Sequence, residues 1–209
     1  MHCCKKLLRM LLRSLLLVWL FAATAHADGI SISKAEIRLG EEGYYLSASY
    51  NVSLPFVVQE ALSRGIPLYF ISEFSLTRSR WYWFDEEAYR GEQTIKLSYN
   101  VLTRQYRISR GALYRNFASI EEALNILSVQ SSSAIPAAMV KKERGYLSAL
   151  AKDDGAYTAS ARLHLDTTQL PKLLQVNALT GADWTLNSDW YRWTIRPAEI
   201  TTGGKGKAE

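Results

Sequence analysis

The sequence predicts a mainly β fold, an antiparallel β-sandwich or partly open barrel with two or three short helices. Three observations predict it. Apolar and polar residues alternate along several separate stretches, the period of a strand buried on one face. Helical signals are few and short, which favours sheet packed on sheet. No Gly-Pro-Ser linker divides the chain, and 48% hydrophobic composition is enough for one real core.

The first 27 residues stand outside that fold. Lys5, Lys6, Arg9 and Arg13 precede an apolar run from Leu15 to Ala23, and Ala25-His26-Ala27 follows. A charged start, an apolar centre and a small-x-small end make a secretory signal peptide. The run is far shorter than the roughly 20 residues that span a bilayer. Residues 1–27 therefore read as a leader cleaved after Ala27, giving a periplasmic protein that begins at Asp28. The leader takes with it four of the 25 basic residues and none of the 20 acidic ones, so the formal charge falls from +5 to +1. It also removes both cysteines, Cys3 and Cys4, and two of the three histidines. Disulfides, thiolate nucleophiles and thiolate metal sites are thereby excluded from the mature chain.

Residues 28–196 read as a single β-rich domain, and 197–209 as a disordered tail. Tyr44, Leu46, Ala48, Tyr50, Val52 and Leu54 alternate with Ser47, Ser49, Asn51 and Ser53. This half-buried strand pairs with "ISISKAEIRL" through a turn at Gly40–Gly43, and the apolar phase breaks near Lys34, as at a bulge. A short helix follows, with Ser53 as N-cap, Pro55 in its first turn and Gly65 as its stop. Residues 66–84 are extended but too long for one strand, so a bend is expected around Thr77–Ser79. "DEEAYRGEQ" reads as a turn, and Ile95–Val101 pairs with Tyr106–Ile108 across "NVLTRQ". Ser119 and Glu122 form a capping box before a second helix. Residues 131–155 have no clear period. The last strands are Tyr157–Leu165 and the aromatic "WYRWTI" at 190–195.

Four blocks, "ALSRGIPLYFISEFSLTRSRWYWFDE", "LSYNVLTRQYRIS", "LHLDTTQLPKLLQVNAL" and "WTLNSDWYRW", span nearly the whole mature chain. Together they resemble the domain-of-unknown-function 4390 family of exported proteobacterial proteins. The resemblance implies a periplasmic or envelope-associated protein whose relatives' genes lie beside a membrane sensor kinase and its response regulator. It carries over no catalytic residues.

The side chains themselves offer little catalytic machinery. His164 is the one imidazole of the mature chain, in "RLHLDTT", and its parity places it as a solvent-facing strand residue. No G-x-S-x-G elbow accompanies it, and zinc sites built of several His and Cys are ruled out by count. Asp166 reads as the start of a turn. A carboxylate pair is the remaining catalytic option, with Glu73 and Asp85 as candidates. No catalytic residue, metal or cofactor is expected.

"RSRWYWFD" at 78–85 is the other candidate. Tyr82 and Phe84 share parity with Leu68, Phe70, Phe74 and Leu76, the core face. Trp81 and Trp83 share parity with Glu73, Ser75, Thr77 and Ser79, a polar face. Segment 78–115 carries eight cations against four carboxylates. Trp81, Trp83, Arg78 and Arg80 are therefore the expected binding residues, with Trp190 and Trp193 as extensions. In an envelope compartment such a patch suits an envelope protein or an amphipathic anionic ligand, with peripheral membrane contact, rather than nucleic acid. The expected function is a non-enzymatic binding or accessory module, with an envelope glycan or lipid hydrolase as the alternative.

Overall fold

The computed structural model describes residues 29–78, 85–136 and 156–196. β1 (Ile30–Leu39) and β2 (Tyr44–Val52) form the expected hairpin, and its ladder shifts between Ile32 and Lys34, at the predicted bulge. Helix α1 (Phe56–Ser63) leads to β3 (Leu68–Arg78) and β4 (Glu86–Asn100). β5 (Gln105–Arg110), β6 (Leu113–Phe117), helix α2 (Ile120–Leu127) and β7 (Val129–Ser131) follow. After the gap come β8 (Tyr157–Leu165), helix α3 (Lys172–Thr180) and β9 (Tyr191–Ile195). Two 3-10 turns, Thr167–Gln169 and Ala182–Trp184, flank α3.

These strands make two antiparallel sheets. One has three strands in the order β1-β2-β7; the other has six, in the order β6-β5-β4-β3-β8-β9. The sheets pack face to face, β1 and β2 against β8 and β9, so the sandwich class holds. Alternation builds the core between them. β2 contributes Tyr44, Leu46, Ala48 and Tyr50; β3 contributes Leu68, Phe70, Phe74 and Leu76; β8 contributes Tyr157, Ala159, Ala161, Leu163 and Leu165. Each large side chain buried here stabilises the fold by about 1.5–3 kcal/mol before ordering costs. The hydroxyls of Tyr50 and Ser72 are buried in this layer without a well-formed hydrogen bond, and burial pushes the Tyr50 phenol upward.

Polar contacts close the ends of elements. Ser119 accepts from the Glu122 N–H at 3.2 Å, and the Glu122 carboxylate accepts from the Ala118 N–H at 3.2 Å, in the manner of a capping box. At the other end of α2, Arg110 donates to the Ile126 carbonyl at 3.3 Å and to Gln130 Oε1 at 3.2 Å. Gln130, buried in β7, donates in turn to the Leu127 carbonyl at 2.6 Å. These donors satisfy orphan carbonyls of the last helical turn.

Several expectations are corrected. Ser53 is not the N-cap of α1: its N–H bonds the Gly29 carbonyl at 2.9 Å, prolonging the hairpin, and the helix starts after Pro55. Gly65 does end the helix, at φ +89. "DEEAYRGEQ" is not a turn but lies in the first two-thirds of β4, paired residue by residue with β3. Its hydrophilic residues suit it because alternate side chains point into water. Gly91 is filled by the ring of Tyr89, into which a Cβ would collide, an aromatic covering of a strand glycine. β3 stays in phase through Thr77 and Arg78, and the irregularity sits in β4, between the partners of Leu76 and Thr77. Val101 is outside the strand and exposed in the β4–β5 turn.

Candidate functional site: the outer face of the six-stranded sheet

Residues opposite the core in β3, β4, β8 and β9 form one continuous polar surface. On β3 these are Tyr69, Ile71, Glu73, Ser75 and Thr77. Register places Glu92 and Arg162 on either side of Glu73, Arg90 and Ser160 on either side of Ser75, and Thr94 and His164 on either side of Ile71. Arg192 of β9 stands next to Ser160. Directly opposed side chains in such a ladder stand about 4.5–5.5 Å apart at Cβ.

Glu73 is the centre of this grid. Its Oε2 accepts from Arg162 Nε at 2.6 Å and lies 2.6 Å from Arg162 Nη2. The pair is about three-quarters buried, at 23% and 27% side-chain exposure, so water screens it less than a surface ion pair. The Arg162 guanidinium lies over the Trp190 ring, 4.6 Å from its centroid, a cation–π stack. His164 Nδ1 lies 3.7 Å from the same Glu73 oxygen. Burial first, and then the Arg162 cation, hold the imidazole below its ordinary range; Glu73, Asp166 and Glu92 pull the other way. Desolvation wins over attraction, which favours the neutral imidazole. It is half-buried beside an ion pair, not the solvent-facing residue its parity suggests.

Around this centre lies a rim of bonded polar groups. Ser75 and Ser160 share a hydroxyl hydrogen bond of 2.7 Å, and Thr77 donates to the Thr158 carbonyl at 3.2 Å. Arg90 donates to Glu87 at 2.6 Å and 2.9 Å. Farther along the same face Lys96 stands over Tyr69 and Arg107 over Tyr114. Cations outnumber carboxylates here, and several are stacked on aromatic faces, so they are held rather than freely rotating. Among the described residues no group of three or more His, Cys, Asp or Glu is placed to hold a metal ion.

Of the residues expected to bind, Arg78 ends β3 on the core-facing parity, opposite Glu86 and Tyr157, and is half-buried. Arg80, Trp81 and Trp83, like Tyr82 and Phe84, lie outside the described residues. The two C-terminal tryptophans separate: Trp190 belongs to the outer face, whereas Trp193 pairs with Ala159 and packs against the core. Asp166 takes its expected place, accepting from the Thr168 N–H at 3.0 Å and its hydroxyl at 2.6 Å. Arg162 and Arg192 were not singled out by sequence, although the alternation of "SARLHL" already put Arg162 and His164 on one face.

Comparison with known families decides membership. The family model described as Domain of unknown function (DUF4390) matches residues 27–194. The chain belongs to that family. No curated protein and no solved structure matches this DUF4390 chain. The match covers both sheets, from β1 to the penultimate residue of β9. The Glu73–Arg162–Trp190 centre of the outer face falls inside it.

Proposed function

We propose that the protein is an exported, non-enzymatic binding module that captures an envelope protein or an amphipathic anionic ligand on the outer face of its six-stranded sheet. The observation that supports this reading is the Glu73–Arg162–Trp190 stack. A carboxylate bound at one oxygen by two guanidinium nitrogens, with the guanidinium covered by an indole, is a fixed recognition surface. It is poorly arranged to shuttle protons. Arg192 and Arg90 flank it as exposed cations, and Trp190, 36% exposed, offers ring edge to a partner, the residue types enriched where binding energy concentrates. The signal-peptide reading of residues 1–27 supports a periplasmic site of action. The extracytoplasmic part of a membrane sensor kinase is the partner class that the family resemblance suggests.

A second reading rests on one feature. Glu92 and Glu73 oppose each other across β3 and β4, a carboxylate pair of the kind that cleaves glycosides. Purified protein assayed for glycosidase and esterase turnover separates the two. Binding predicts no turnover, with envelope capture lost in Trp190→Ala and Arg192→Glu at an unchanged unfolding midpoint. Turnover abolished by Glu92→Gln would replace the binding reading with the hydrolase.

A further inference from the structure

Six of the exposed large apolar side chains among the described residues gather at one end of the sandwich, while Leu39, Leu113, Tyr114, Val129 and Trp190 stand elsewhere. α1 exposes Phe56 (77%) and Val57, the β4–β5 turn exposes Val101 and Leu102 (94%), and α3 exposes Leu173 (85%) and Val176. The topology brings these three elements together. β3 begins at Leu68 opposite Leu97, near the end of β4. α1, which leads into β3, therefore stands beside the β4–β5 turn, where a Cβ on Gly65 would meet Val101 at 3.8 Å. β8 ends there as well, with the Asp166 N–H bonded to the Tyr69 carbonyl at 2.7 Å. The chain then runs into α3, which packs on the Ala182–Trp184 turn, as does α1. Singly exposed hydrophobic residues are ordinary, but a group of them at one end marks an interaction surface.

Charge indicates the occupant. Two of the three elements set an exposed cation beside the apolar side chain, Arg104 after Leu102 and Lys172 before Leu173, whereas Arg64, which closes α1, is paired with Glu60 at 2.6 Å. Protruding aromatic and leucine side chains flanked by Lys and Arg suit the boundary between acyl chains and anionic headgroups.

We propose that this end of the sandwich docks on a phospholipid bilayer, with Phe56, Leu102 and Leu173 entering the headgroup level. No helix among the described residues is long and apolar enough to cross a membrane, so the contact by these residues is peripheral. The outer face of the six-stranded sheet stands alongside this end and stays open to a ligand. The docking surface is thus independent of the binding reading above.

The test uses the protein as isolated from expressing cells, with Cys3→Ser and Cys4→Ser. A nitrobenzoxadiazole probe is placed at Leu102→Cys, at Leu173→Cys, or at Leu113→Cys, which begins β6 after the β5–β6 turn, at the other end of strand β5 from Leu102. Vesicles of phosphatidylethanolamine and phosphatidylglycerol should brighten and blue-shift the probes at 102 and 173 but not at 113. The triple variant Phe56→Ser, Leu102→Ser, Leu173→Ser should lower vesicle partitioning by about tenfold or more, with its urea midpoint unchanged. Equal response at all three probes, or none at 102 and 173, would overturn the proposal. So would a response that follows protein concentration without vesicles, which would make this end a self-association surface.

Discussion

Glu73→Gln removes the charge at the centre of the outer face while keeping its shape. In the native protein Arg162 reaches one oxygen of Glu73 through two nitrogens, each at 2.6 Å. Hydrogen bonds to charged groups stabilise by about 1.5–3 kcal/mol, and an exposed ion pair by only about 0–1 kcal/mol. With 23% and 27% of the side chains exposed, this pair falls between those limits, at about 1–2 kcal/mol. The assay is urea unfolding of Glu73→Gln, Arg162→Gln and the double variant, at equal slopes so that midpoints compare directly. A double-mutant cycle should return a coupling of about 1 kcal/mol or more. A coupling below about 0.3 kcal/mol would mean the two side chains do not hold each other, and the preorganised centre would have to be abandoned.

Gly43→Ala should destabilise by about 2 kcal/mol or more: Gly43 has φ +141, where an L side chain is strained, and its Cβ would strike the Ile135 carbonyl. The loss should appear as a lower urea midpoint. Gln130→Leu deprives Arg110 of an acceptor and the Leu127 carbonyl of a donor. Unfolding should report a cost of about 1–3 kcal/mol, despite the gain in apolar volume. His164 has a folded pKa depressed below its unfolded value, so the unfolded chain binds its proton more readily. The stability this group contributes is complete above about pH 6.5, the unfolded value, and is lost as pH falls through the lower folded value. His164→Gln should flatten the fall in stability just below pH 6.5, and an unchanged pH profile would contradict the burial argument.

Local signals were legible in the sequence. The β1–β2 hairpin, its bulge at Lys34, the Ser119–Glu122 cap and the Asp166 turn each depend on residues a few positions apart, and all four stand in the structure. Long-range adjacency was not legible. Glu73 and Arg162 lie on strands paired across a separation of 89 residues, and nothing in either strand names the other. Parity told that Glu73 faces away from the core but not that it meets an arginine. The turn-like composition of "DEEAYRGEQ" hid a strand because the propensity of Gly, Glu and Asp reflects exposure as much as backbone preference. Ser53 has the chemistry of an N-cap, yet a ladder hydrogen bond to Gly29 outcompeted the helix for its backbone. α3 went unassigned because two of its apolar side chains, Leu173 and Val176, point into water and blur the period.

Site-specific photo-crosslinking in living cells tests the outer face as a binding surface most directly. A photoreactive residue at Arg192, on the outer face of the six-stranded sheet, is compared with one at Ser47, on the outer side of the three-stranded sheet. The account predicts a discrete envelope adduct from position 192 that disappears when Trp190→Ala is added, and none from position 47. Adducts of equal yield from both faces, or an adduct at 192 indifferent to Trp190→Ala, would contradict it.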